Sequence, residues 1–125
     1  MKILKNRGVS LVEITIALAI TAYIVLGFAR LFMQSTAALN SARMQTLAHN
    51  WAADKMEDIK TRYYVAVDTG TWTPETEVLA ENVIFTRDVS VVEEPPGLKE
   101  IAVTVSWSEL GNPREISVVS YMAEY

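Results

Sequence analysis

The chain has 125 residues, half of them hydrophobic, no cysteine and a formal net charge of −4. That length holds one small domain plus an anchor, and the lack of cysteine excludes disulfide staples, thiolate metal sites and a cysteine-linked lipid anchor. The acidic balance, with no basic patch to neutralise phosphates, points away from nucleic acid as a partner.

The first element is a basic head followed by an apolar run. Lys2, Lys5 and Arg7 precede Gly8, and without them eight basic residues face fifteen acidic ones, a charge of −7. Val9–Ala29 contains one charge, Glu13. As a helix that run is about 31 Å long, close to the hydrocarbon thickness of a bilayer. An acid near the start of such a span still costs about a kcal/mol or more, so its default reading is functional, with a partner. The competing reading is an acid favoured by the helix macrodipole. A secretory signal needs a small-residue cleavage site after the apolar run. Neither Thr21-Ala22-Tyr23 nor Leu26-Gly27-Phe28 supplies one, and Leu31-Phe32-Met33 follows Arg30, so the helix is expected to continue. Positive residues before the run, against Arg30 alone after it, predict a single pass with a cytoplasmic N-terminus and the C-terminal domain outside.

Basic residues, Gly8, Val9, the hydroxyl of Ser10, Leu11-Val12 and Glu13 before an apolar helix together resemble the leader and junction of type IV prepilins and pseudopilins. The resemblance implies cleavage by a prepilin peptidase between Gly8 and Val9, N-methylation of Val9, and an assembly-register role for Glu13 as the fifth mature residue. It also implies partners: the peptidase, other pilin or pseudopilin subunits through the N-terminal helix, and inner-membrane lipid. Pairing Glu13 with a neighbour's free amine removes the cost of a lone carboxylate in one axial register only. Two departures stand out. Val9 occupies a position where the family most often has phenylalanine or methionine, and the span lacks the proline that major pilins often carry, which leans towards a minor component. Ala48–Lys60 is similar to a segment of V-type minor pilins and of the I-type pseudopilin of type II secretion.

Residues 30–62 are expected to stay helical. Ala48, Ala52, Met56, Ile59 and Tyr63 step by three and four along one face, with Leu47 and Trp51 beside them, and Asn50, Asp54, Asp58 and Arg62 lie opposite. Trp51 and Met56 are read as core against a sheet in preference to an interaction hot spot. Residues 63–82 read as an irregular connection, with a turn at Asp68-Thr69-Gly70 and a break at Pro74. Asp68, Glu75 and Glu77 there raise calcium as an option, but the ligand order of an EF-hand loop is missing and solvated acids are the plainer reading. Three strand patterns follow. Phe85, Arg87, Val89 and Val91 share a face, with Arg87 the exception. Ile101, Val103, Val105 and Trp107 make the second strand; Ile116, Val118, Ser120 and Met122 make the third. Glu93-Glu94-Pro95-Pro96-Gly97 and Gly111-Asn112-Pro113 are the expected turns, and Met122–Tyr125 the fraying end.

His49 stands alone mid-helix with no triad or zinc pattern, the glycines form no phosphate loop, and no carboxylate pair is held at catalytic separation. No enzyme and no cofactor are expected.

The expected fold is α+β: a long N-terminal helix, membrane-spanning in its first half, packed on a small antiparallel sheet of about three strands. Its segments are a leader (1–8), a span (9–29), a helix continuation (30–62) and a loop-and-sheet domain (63–125). The expected function is a minor pilin or pseudopilin that helps initiate or cap a type IV pilus or type II secretion filament. The alternatives are a single-span, signal-anchored envelope protein carrying a small binding or sensory module, and a DNA-uptake (competence) pseudopilin.

Overall fold

The computed structural model describes residues 8–80 and 82–124. The head with Lys2, Lys5 and Arg7 lies outside the described residues, as does Tyr125. One long helix, α1 (Leu11–Lys60), is followed by a short 3-10 turn (Tyr64–Ala66). Five strands then form one antiparallel sheet: β1 (Gly70–Thr71), β2 (Glu75–Ala80), β3 (Val83–Glu93), β4 (Leu98–Glu109) and β5 (Asn112–Ala123). The fold is α+β, a long apolar N-terminal helix with a small antiparallel sheet. The chain divides into two compact units at Leu39/Asn40.

In the first unit, residues 8–39, every described side chain is exposed. In the second, α1 covers the sheet. Met44, Ala48, Ala52, Met56 and Ile59 are buried on it, meeting Phe85, Val89 and Val91 of β3 and Ile101, Val103, Val105 and Trp107 of β4. The alanines let the helix sit close, and the alternation of β4 places one complete row of its side chains inside. Phe85 and Trp107, paired in register, stack at 5.5 Å between ring centroids.

Four details differ from the sequence expectation. The helix ends at Lys60, where Thr61 N–H bonds Glu57 O and Arg62 N–H bonds Ile59 O; Tyr63 then turns extended and is exposed instead of extending the buried face. The 63–82 connection holds two strands. β2 starts directly after Pro74, where the missing N–H harms no ladder, and pairs with β3 from Glu75↔Arg87 to Ala80↔Val83. The last hairpin turns on Leu110-Gly111, with φ of 50° and 82°, as a two-residue loop between the paired Glu109 and Asn112. Asn112 and Pro113 therefore belong to β5. At the C-terminal end Glu124 N–H donates to Gly97 O, which ties down the described part, residues 122–124, of the segment expected to fray.

The same end of the sheet is closed by Lys99, a buried charged residue of this unit. Its ammonium donates to Tyr64 O (2.9 Å) and Val67 O (2.7 Å) and lies 4.1 Å from the Tyr64 ring centroid. Tyr64 in turn donates its hydroxyl to Glu93, and its pKa is pushed up to about 12, first by loss of solvent and then by that carboxylate.

Candidate assembly segment

Residues 8–10 are outside the helix, and Ser10 O accepts the first helical bond from Ile14 N–H (3.1 Å). Ser10 is thus the N-cap residue and Glu13 the third residue of the first turn. This is the spacing of a capping box, in which serine and glutamate satisfy each other's backbone N–H groups. Among the described residues neither side chain makes that bond. Glu13 shares a helix face with Ile16, Ala17 and Ile20, and these line a shallow apolar concavity of about 400 Å³. A carboxylate is therefore set at the end of an apolar strip.

Gly8 does not occupy the left-handed backbone region, and a Cβ there would meet nothing within 4 Å. Nothing among the described residues asks for glycine at this position. Val9 beside it is 66% exposed.

The helix beyond has a stretch with mean hydropathy 2.2, long and apolar enough to cross a membrane, and none of it is buried. Its threonine hydroxyls are satisfied internally: Thr15 donates to Leu11 O (2.7 Å) and Thr21 to Ala17 O (2.8 Å). Hydroxyls bonded back to the preceding turn add no unmet donor to a lipid-facing surface. The exposed apolar surface continues past Arg30 through Leu31, Phe32 and Met33. Isolated apolar residues on a surface are ordinary, but a continuous apolar helix surface marks a contact with lipid or protein.

The sheet unit does not add to this site. His49 is exposed on the helix. Asp68, Glu75 and Glu77 are not brought together. Asp68 O accepts the Trp72 indole N–H, Glu77 is exposed on β2, and Glu75 is engaged by two cations. Among the described residues no three histidine, aspartate or glutamate side chains group for a metal ion.

What the sequence pattern missed is the role of Arg87. Its guanidinium lies 4.1 Å from the Trp51 ring centroid, donates from Nη1 to Trp51 O (2.9 Å) and from Nε to Glu75 Oε2 (2.8 Å), and makes a second bond to Glu75 through Nη2. Lys55 Nζ closes the cluster on Glu75 Oε1 at 2.7 Å. The hydrogen bonds from Lys55, then Arg87, hold the Glu75 carboxyl below the usual carboxylate range. A cation on an otherwise apolar strand face signals such a partner; Glu75 reads from sequence as a solvated acid because its segment reads as loop, and the structure pairs it with Arg87 and Lys55 instead.

Comparison with protein-family models, with curated proteins and with solved structures gives no match.

Proposed function

We propose that the protein is a filament subunit of the type IV pilin-like kind, a minor pilin or pseudopilin. It would be held in the inner membrane by α1, N-terminus inward, until a prepilin peptidase cuts between Gly8 and Val9 and the helix packs among other subunits. One observation carries the reading: an apolar helical stretch exposed from Leu11 to Leu39 has a carboxylate in its first turn, five residues after a glycine for which the described residues show no need. A glycine with no internal purpose fits a residue read by another protein, since the missing Cβ lets the chain enter a tight cleft extended. An apolar helix serves equally in lipid and in a bundle of like helices. Glu13 separates these two states. In lipid it sits at the edge of the span, and in a bundle it is buried and stabilised only by a cation, here the Val9 amine of a neighbour, which fixes register.

The test is made on protein extracted from membranes. N-terminal sequencing is expected to start at Val9, methylated or not, and Gly8→Leu to keep Met1. Glu13→Ala is expected to be inserted and cleaved but excluded from filaments. An intact Met1 in the unsubstituted protein would favour a simple signal anchor carrying a small binding module, and normal incorporation of Glu13→Ala would remove the register role.

A further inference from the structure

The two ends of the exposed apolar stretch are closed by different means. Helix α1 begins at Leu11, and its first internal bond runs from Ile14 N–H to Ser10 O. The backbone N–H groups of Ser10, Leu11, Val12 and Glu13 have no acceptor one turn back, and no side chain of the described residues caps them. Hydrocarbon offers such groups nothing, so they have to lie among headgroups or water. At the other end nothing comparable stops a span. The helix runs on to Lys60, so the backbone of residues 30–39 is bonded within it throughout. Leu31, Phe32 and Met33 are exposed, and the run turns polar only at Gln34-Ser35-Thr36.

We infer that the membrane-spanning stretch is residues 14–33, with Arg30 inside it and its guanidinium bonded to the phosphate of a lipid headgroup in the leaflet on the C-terminal side. This frame is shifted from the 9–29 run that lies between the basic head and Arg30. As a helix it is about 30 Å long, the hydrocarbon thickness. Each frame holds one charge, Glu13 in the first and Arg30 in the second. Apolar content does not separate them, because Leu11 and Val12 at one end are balanced by Leu31, Phe32 and Met33 at the other. The backbone does. Only the 14–33 frame leaves every unbonded N–H group outside the hydrocarbon.

In that frame both charges reach polar surroundings. Side chains on a helix lean towards its N-terminus, which carries the Glu13 carboxylate away from the hydrocarbon. Arg30 lies three residues, about 4.5 Å, below the opposite boundary. Its stem leaves the helix in the less favourable direction, but it is long enough to lay its methylenes in the apolar layer and return the guanidinium to the headgroups. The acceptor there is phosphate, which the planar guanidinium fork binds with two parallel bonds. The helix carries no acid between Glu13 and Asp54, so none of its own carboxylates competes for Arg30. The inference rests on the reading of α1 as a membrane span, and not on cleavage at Gly8 or entry into a filament.

The test uses the full chain in vesicles of phosphatidylcholine in phosphate-free buffer. The chain has no cysteine, so a single spin label can be set by Val12→Cys, Ile20→Cys, Ile24→Cys, Phe32→Cys or Thr36→Cys. The ratio of label collisions with oxygen to collisions with a water-soluble nickel chelate reads depth. That ratio is expected to peak at position 24 and to be several-fold higher at 32 than at 12 or 36. A peak at position 20, with 12 in hydrocarbon and 32 in water, overturns the frame and leaves the span standing. A water-like ratio at all five positions removes the span itself, and the inference with it. Arginine carrying carbon-13 at Cζ then reads the phosphate. Dephasing of its signal by lipid phosphorus is expected in the unsubstituted chain and is reduced in Arg30→Gln. Equal dephasing in the two proteins overturns the phosphate contact, whatever the depth profile.

Discussion

The two stretches of α1 are built from the same kinds of residue and live in opposite conditions. From Met44 to Ile59 the helix buries one face, with Ala48, Ala52 and Ile59 fully covered, while from Leu11 to Leu39 no side chain is covered by the chain. The sheet accounts for the second stretch, since each large apolar side chain it covers stabilises the fold by about 1.5–3 kcal/mol. It leaves the first unexplained: among the described residues nothing covers that helix surface. The largest expected effect follows. Phe85→Ala, at a fully buried ring stacked on Trp107, is expected to cost about 3–5 kcal/mol. Leu18→Ala, 65% exposed, is expected to change stability by less than about 0.5 kcal/mol in detergent. Denaturant unfolding followed by tryptophan fluorescence reads this well, because Trp51, Trp72 and Trp107 all lie in the second unit. If Leu18→Ala lowered the midpoint as far as Phe85→Ala, the first stretch would have a partner inside the chain and the contrast would be lost.

The second effect belongs to the polar clamp of the sheet unit. Arg87→Ala removes the hydrogen bonds to Glu75 and to Trp51 O and the stacking on Trp51, and is expected to cost about 1–3 kcal/mol, discounted because Glu75 remains partly exposed and keeps Lys55. The pH dependence has a definite sign. The folded carboxyl of Glu75 titrates below its ordinary value of 4.5, so its stabilisation is present above that value and is lost as pH falls through the lower folded one. Below pH 4.5 the midpoint should fall more steeply in the unsubstituted protein than in Glu75→Gln. Parallel acid limbs in the two proteins would show that the clamp contributes nothing by charge.

Much of this architecture was legible from residue spacing. The buried faces of α1, β3 and β4 and the half-buried face of β5 follow from periods of 3.6 and 2, which depend on local geometry alone. The candidate segment was legible for a different reason: Gly8, Ser10 and Glu13 are close in sequence, so their relation needs no tertiary structure. What spacing hid was long-range. β2 is a strand only because β3 lies beside it, and nothing within Glu75–Ala80 alone outweighs Pro74 before it. Tyr63 continues the helical stripe on paper, but the helix has already closed at Lys60. The clamp required Trp51, Lys55, Glu75 and Arg87 to meet from three elements.

The smallest expected effects come from two backbone positions. Leu110 holds φ of 50° in the β4–β5 turn, a conformation in which a leucine gains nothing, being 93% exposed. Leu110→Asn is expected to raise stability by about 0.5–1 kcal/mol, because asparagine tolerates that region. Gly27 is the counterpart in the first stretch. It lies inside a helix, where glycine costs about 0.5–1 kcal/mol relative to alanine, and a Cβ there would meet nothing within 4 Å. Within the chain, then, Gly27→Ala should be neutral or slightly stabilising, seen as equal or greater helix content by circular dichroism in detergent. Under the proposed filament role, a cost should emerge only where another helix approaches that face, as reduced entry of Gly27→Ala into filaments at unchanged cleavage. Under the same role, an alanine variant that assembles normally would mean that this face of the helix meets lipid or solvent, and would narrow the proposed subunit contact to the Glu13, Ile16, Ala17 and Ile20 face.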